Sequence, residues 1–566
     1  MDKSIKNIIC LFLICLMILF MFFTMVSCRD SIKNSNQENV TMNGGNPPSM
    51  PSGEMGNPPE KPNGDMENMT PLDKPGEVNN NVEVDTKYYV IFAIEGAVAG
   101  LLIAYLIVSG FNRLSFKETF VSSSKTTTCM LLTIVLCIGF TFLDSFILNK
   151  FILGNEMKLD INFNNSNKDV SYSSSKTITS NKNVTNEDLS SSKADENAVD
   201  VNGNVESYLS NLTVNKTGDS DGGDSTSFYG TNSAIIARNG ANVYISDSTI
   251  ETNANGANGV FSYGGSATTQ NSSGDGTTVN IVDSKITTTK DNSGGIMTTG
   301  GGVMNASNLI ITTSGTSSAA IRSDRGGGTV NVNGGTYTTN GKGSPAVYST
   351  ANITVKNATL ISNVSEGVVI EGKNSVTLEK VTLTDTNNKL NGQSTTYKNI
   401  FLYQSMSGDA DTGVSTFTSK ESKITTNKGD TLYVTNTSAV INLENNSIVN
   451  KDIYGNFIRV QKDSWGNEGS NGGNVTLNMT NQSVGGNVVV DELSTLEINL
   501  NNNSSISGQI NKDNTAKSLT IKLDSTSKLI LESDSYVTSI ENEVEDYSNV
   551  DFNGYALYVN GKAINK

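Results

Sequence analysis

The residues best equipped for chemistry in the second half of the chain stand together in "AAIRSDRGGG", where Arg322, Asp324 and Arg325 lead into three glycines. Forked guanidinium donors grip a sugar carboxylate bidentately, and a neighbouring carboxylate holds sugar hydroxyls. Arg322 or Arg325 beside Asp324 would mimic the base of a polysaccharide lyase above a calcium-bound uronate, but the sequence shows no cluster of several Asp on adjacent repeats with a basic residue opposite. The glycines are not a phosphate loop. That motif needs GxxxxGK followed by Ser or Thr, and the next lysine is Lys342, in "GKGS". They read instead as a tight corner between two strands.

Three other places carry chemical groups. "GDSDGGDS" holds Asp219, Asp221 and Asp224, and "GDADTG" holds Asp409 and Asp411. Alternating carboxylates on glycine-rich loops suit calcium, although neither loop has EF-hand spacing. Trp465 is the only tryptophan, in "QKDSWGNEGSNGG"; its ring either stacks on a sugar face or plugs a loop. Asp324 and Glu371, two repeats apart, stand at the edge of the separation a glycosidase needs.

Composition removes several classes. The chain has no histidine, which excludes Ser-His-Asp triads, Cys-His nucleophiles and His-ligated zinc. Its 40 basic and 56 acidic residues give a net charge of -16, which argues against a nucleic-acid partner. The five cysteines, Cys10, Cys15, Cys28, Cys129 and Cys137, all precede residue 150. The long region that follows therefore relies on packing and hydrogen bonds rather than disulfides.

That region positions the candidates through a repeat. "VYISDSTIET" from Val243, "VNIVDSKITT" from Val279, "VNVNGGTYTT" from Val330 and "ITVKNATLIS" from Ile353 share apolar residues at the first, third and eighth places. Similar decads run on to Leu477, mostly 23 to 27 residues apart and farther where insertions intervene. A second apolar strand accompanies each, such as "AIIARNG" from Ala234, "AIRSDRG" from Ala320 and "VVIEGK" from Val368. Short alternating strands at this period, separated by Asn and Gly, predict an all-β, right-handed parallel β-helix over 165–566, with an array of β-sandwiches as the competitor. Aligning the second strands places Arg238, Tyr263, Asp324, Glu371 and Gln404 in one outward column, with Arg322 and Arg325 alongside.

Three apolar spans set the compartment. Residues 7–27, 88–110 and 129–149 each approach the length of a transmembrane α-helix. Lys3 and Lys6 precede the first, and Arg113, Lys117 and Lys125 lie between the second and third. Basic residues favour the cytoplasmic side, so 28–87 and 150–566 fall outside. Segment 1–28 is a signal or anchor helix, and "MVSC" leaves lipidation of Cys28 open. Residues 29–86 are a Pro-, Gly- and Asn-rich tether without a core, and 87–150 form two spans around a short cytoplasmic loop.

The ordered set "DGGDSTSFYGTNSAII", "SSAAIRSDRGGGTVNVNGGTYTTNGKGSPAVYST", "EGVVIEGKNSVTLEKVTLT" and "LYQSMSGD" resembles the β-helical, adhesin-like and carbohydrate-binding surface proteins of clostridia and related bacteria. The resemblance covers roughly 165–566. It implies an anchored or secreted right-handed β-helix of pectate-lyase-like fold that binds acidic polysaccharide without cleaving it. The expectation is therefore a non-catalytic, membrane-anchored surface protein. Arg238, Arg322, Asp324, Arg325, Glu371, Gln404 and Trp465 would serve as ligand contacts, and Ca2+ would be the one metal. A ligand-free envelope protein and a polysaccharide lyase or hydrolase are the alternatives.

Overall fold

A computed structural model describes residues 170–565 apart from 221–223, 266–273 and 393, together with the helical positions Val98 and Ile103. The chain divides into two units, Met1–Asn164 and Asn165–Lys566. Cys28, the tether and the three apolar spans lie outside the described residues, save Val98 and Ile103. Among the described residues, no helix is long and apolar enough to cross a membrane.

The second unit is an all-β parallel solenoid. Each turn gives one strand to each of three sheets, A, B and C, as in Ile235–Arg238, Asn242–Ser246 and Thr249–Thr252. Sheet A has 12 strands and sheet B 14; sheet C has 10 and is followed by a four-stranded sheet. Each strand pairs with its counterparts in the turns before and after. The exception comes at the C-terminal end, where Leu557–Val559 pairs antiparallel with Lys562–Ala563. Parallel stacking of this extent excludes the sandwich array, whose sheets are antiparallel.

Register keeps like over like. In sheet A, Val260, Ile296, Ile321, Val347, Val368, Ile400, Leu432 and Ile458 are successive partners. All are buried in one core that runs from Ile178 to Leu557. Burying such a side chain contributes roughly 1.5–3 kcal/mol, so each turn adds its own share. A slip of one residue would turn the column outward, which fixes the register.

Each repeated decad is two strands joined by a corner between sheets B and C. The corner residue is left-handed: Asp247 (φ 51°), Asp283 (48°), Asn308 (54°), Asn357 (52°), Asn445 (52°) and Asn481 (48°). Asn and Asp tolerate this conformation because their short polar side chains bond locally. The following serine takes up a backbone donor that the bend leaves over. Ser248 Oγ accepts from the Leu212 N–H at 3.1 Å, and Ser284 Oγ accepts from the Ser248 N–H at 3.1 Å. On the outer face of sheet B, the Asn280, Asn305 and Asn331 amides form a ladder, each donating to the turn before at 2.9–3.2 Å.

Candidate binding groove and the ion-pair face beside it

Sheet A brings most of the expected column together. Arg238, Tyr263 and Thr299 are register partners, as are Glu371, Tyr403 and Thr435. Asp324 follows Ser323, the partner of Thr298, and so stands beside Thr299. Arg238, Tyr263, Asp324 and Glu371 therefore share one column. Gln404 does not; Tyr403 holds that place, and Gln404 lies one residue on, at the corner toward sheet B.

The column is not the open edge that the sequence suggested. Helix α1 (Asp224–Tyr229) meets it: Arg322 Nη2 lies 3.4 Å from Ser227 Oγ, the Arg325 guanidinium stacks 4.0 Å from the Phe228 ring, and Thr299 Oγ1 donates to the Phe228 carbonyl at 2.7 Å. The loop 404–412 closes over the next turns. Asp324 is 5% exposed and Glu371 1%.

The guanidiniums are engaged with carboxylates of the chain itself. Arg238 donates through Nε and Nη2 to both oxygens of Asp200, at 3.0 and 2.9 Å. Arg322 Nη2 meets Asp324 Oδ2 at 2.9 Å, and Arg325 Nε meets Asp409 Oδ1 at 2.6 Å. A fourth pair, Arg459 Nε to Asp430 Oδ2 at 2.5 Å, escaped sequence reasoning. Its signal was present, because "FIRVQ" aligns with the arginine-bearing strands. A fork bonded to a carboxylate of its own chain has fewer donors left for a ligand.

Burial raises two acids of this face. It pushes the Asp324 carboxyl up to about 6, outweighing the attraction of Arg322. Glu371 is raised for the same reason, although Ser405, Tyr348 (2.5 Å) and Tyr403 (3.0 Å) all donate to it. These partners occupy both carboxylate oxygens, so Glu371 joins turns rather than facing solvent. Trp465 also faces inward. Its ring packs 5.3 Å from both Phe401 and Tyr403 and closes the loop over sheet A.

Among the described residues, the Asp219 and Asp409 carboxylates of the two acidic loops are met by partners from the chain itself. Asp219 accepts the Asn255 N–H at 2.7 Å. Asp221 lies outside the described residues, and Asp224 opens helix α1. Asp409 is bound by Arg325 and by Ser407 (2.8 Å), while Asp411 offers its backbone carbonyl to the Lys373 N–H at 2.8 Å. Among the described residues, no three His, Cys, Asp or Glu side chains converge to hold a metal.

Among the described residues, an open concavity lies at the corner between sheets A and B. A groove of about 690 Å³ runs past Gln404, Asn436, Asn474, Thr495 and Lys517. These residues come from five successive turns, so at about 4.8 Å per turn the groove spans about 19 Å. Its walls mix amides and hydroxyls with Met406 and Val414, each 49% exposed. Lys517 is its one cation. A second hollow of about 530 Å³, around Asp463 and Glu468, adjoins it at Leu493. Sequence reasoning reached this site only through Gln404, because a groove at a corner depends on how far successive loops stand out. Compared with family models, curated proteins and solved structures, the chain matches none.

Proposed function

We propose that the chain is a non-catalytic surface protein whose solenoid binds an extended polysaccharide along the groove between sheets A and B. The groove carries this reading, because it crosses five turns and is lined by amides and hydroxyls beside apolar side chains. A polymer whose repeat follows the turns gathers many weak contacts at once, and avidity replaces any single strong one. Lys517 at one end favours an acidic sugar there. The resemblance to clostridial surface β-helices supports the same reading, along with a right-handed coil. The three apolar spans support a membrane anchor that leaves the solenoid outside, with Cys28 as a lipid site if the first span is cleaved.

A glycan array tests the reading. The solenoid 165–566 should retain polysaccharides and ignore their monosaccharides. An Asn436→Ala, Asn474→Ala double variant with an unchanged circular dichroism spectrum should bind roughly 10-fold more weakly, at about 0.7 kcal/mol per lost hydrogen bond. A blank array favours a ligand-free envelope protein, and release of unsaturated or reducing ends favours the enzyme.

A further inference from the structure

The corner where sheet C returns to sheet A carries a buried polar column: Thr252, Thr288, Thr313, Thr339, Ser362, Asp385 and Thr426, in successive turns. Several of these hydroxyls donate to a nearby backbone carbonyl, as Thr288 does to Ser293 at 2.5 Å and Ser362 to Ser365 at 2.8 Å. Asp385 places an acid where a hydroxyl is the rule. A second exception stands beside it. The residue before the aligned sheet A column is Gly or Ala at Gly259, Gly295, Ala320, Ala346 and Gly367, but Asn at Asn399.

Asp385, Asn387 and Asn399 are all fully buried, and the Oδ1 atom of each has no hydrogen-bond partner. Shared neighbours bring the three together. Asn399 Nδ2 donates at 3.0 Å to Thr426 Oγ1, and Thr426 is the register partner of Asp385. The Asn387 N–H donates to Asp385 Oδ2 at 3.3 Å, and Asn387 Nδ2 donates at 2.9 Å to the carbonyl of Lys398, next to Asn399. Neither amide can be turned round. Asn387 would set its oxygen against the Lys398 carbonyl, and Asn399 would set its own against the Thr425 carbonyl, which its Nδ2 now meets at 3.4 Å.

The corner is thus a set of acceptors without a donor. Protonated Asp385 would supply one proton, and a buried water two, to three oxygens. A cation would satisfy all three.

We propose that this corner is an internal site for a hard metal cation, held by the Oδ1 atoms of Asp385, Asn387 and Asn399. Oxygen-only donors point to the Ca2+ and Na+ class rather than to thiolate- or imidazole-seeking metals. The site is separate from the groove and from the two acidic loops.

The full chain is exchanged into a metal-free ammonium buffer after exposure to CaCl2 or, separately, NaCl, and retained metal is measured by mass spectrometry. An Asp385→Thr, Asn399→Ala variant places at both positions residue types that the same columns carry in other turns, Thr339 and Thr426 for the first and Ala320 and Ala346 for the second. The wild type should retain about one ion per chain, at least 10-fold more than this variant, and the salt that loads it identifies the ion. Asp219→Asn and Asp409→Asn variants should retain it in full. No retained metal in the wild type, or equal retention in the double variant, overturns the proposal. If the double variant fails to fold, Asn399→Ala alone is used, and undiminished retention there overturns it equally.

Discussion

Arg238 and Asp200 illustrate how the arginines of sheet A act. Asp200 is almost fully buried, and both its oxygens rest on one guanidinium. Arg238→Ala should destabilise the solenoid by about 3–5 kcal/mol, since it leaves a buried charge unpaired. The Arg238→Met, Asp200→Leu pair should come much closer to wild type in urea unfolding. Asp324 makes a pH prediction. Its carboxyl rises from 3.8 to about 6 on folding, so the folded state holds its proton more tightly. Its contribution is present in full below about pH 3.8, fades as pH rises through about 6, and is flat beyond. Asp324→Asn should remove this slope from the stability of the solenoid between pH 4 and 6; an unchanged slope would show that Asp324 does not titrate there.

The corners between sheets B and C give a test at the level of the element. Lys380 (φ 55°) and Glu421 (φ 49°) hold the left-handed place that Asn or Asp fills in most turns. Their ion pair, at 3.7 Å and largely exposed, adds little. Lys380→Asn and Glu421→Asn should each stabilise by about 1 kcal/mol, read from the denaturation midpoint. This rule of the corner was legible in the sequence, as were the alternating core strands and the column of Arg238, Tyr263, Asp324 and Glu371. All three follow from a period that repeats in the chain itself. Gln404 was misplaced by one residue, and a single step changes which way a side chain points. The cover over the column was illegible for a different reason: Ser227 meets Arg322 from 95 residues away, outside any repeat. The oxygens of Asp385, Asn387 and Asn399 were equally hidden, since only the fold shows that they lack partners.

A solenoid has open strand edges at its ends, and those edges pair with other chains unless they are covered. At the C-terminal end the chain turns back: Leu557–Val559 pairs with Ser535–Val537, Tyr558 stacks on Tyr536, and the antiparallel strand Lys562–Ala563 closes the sheet. Deleting 552–566 should leave the core folded but drive association, seen as a larger species in light scattering. Along the length between the ends, the groove is the feature that would use the repeat for recognition. The most direct measurement is binding of the solenoid 165–566 to a glycan array of polysaccharides and their fragments, repeated with Asn436→Ala, Asn474→Ala. The groove predicts that binding strengthens with fragment length until about 19 Å is covered, at about 4.8 Å per turn, and weakens roughly 10-fold in the variant. Binding that is independent of length and untouched by the variant, or no binding at all, would contradict it.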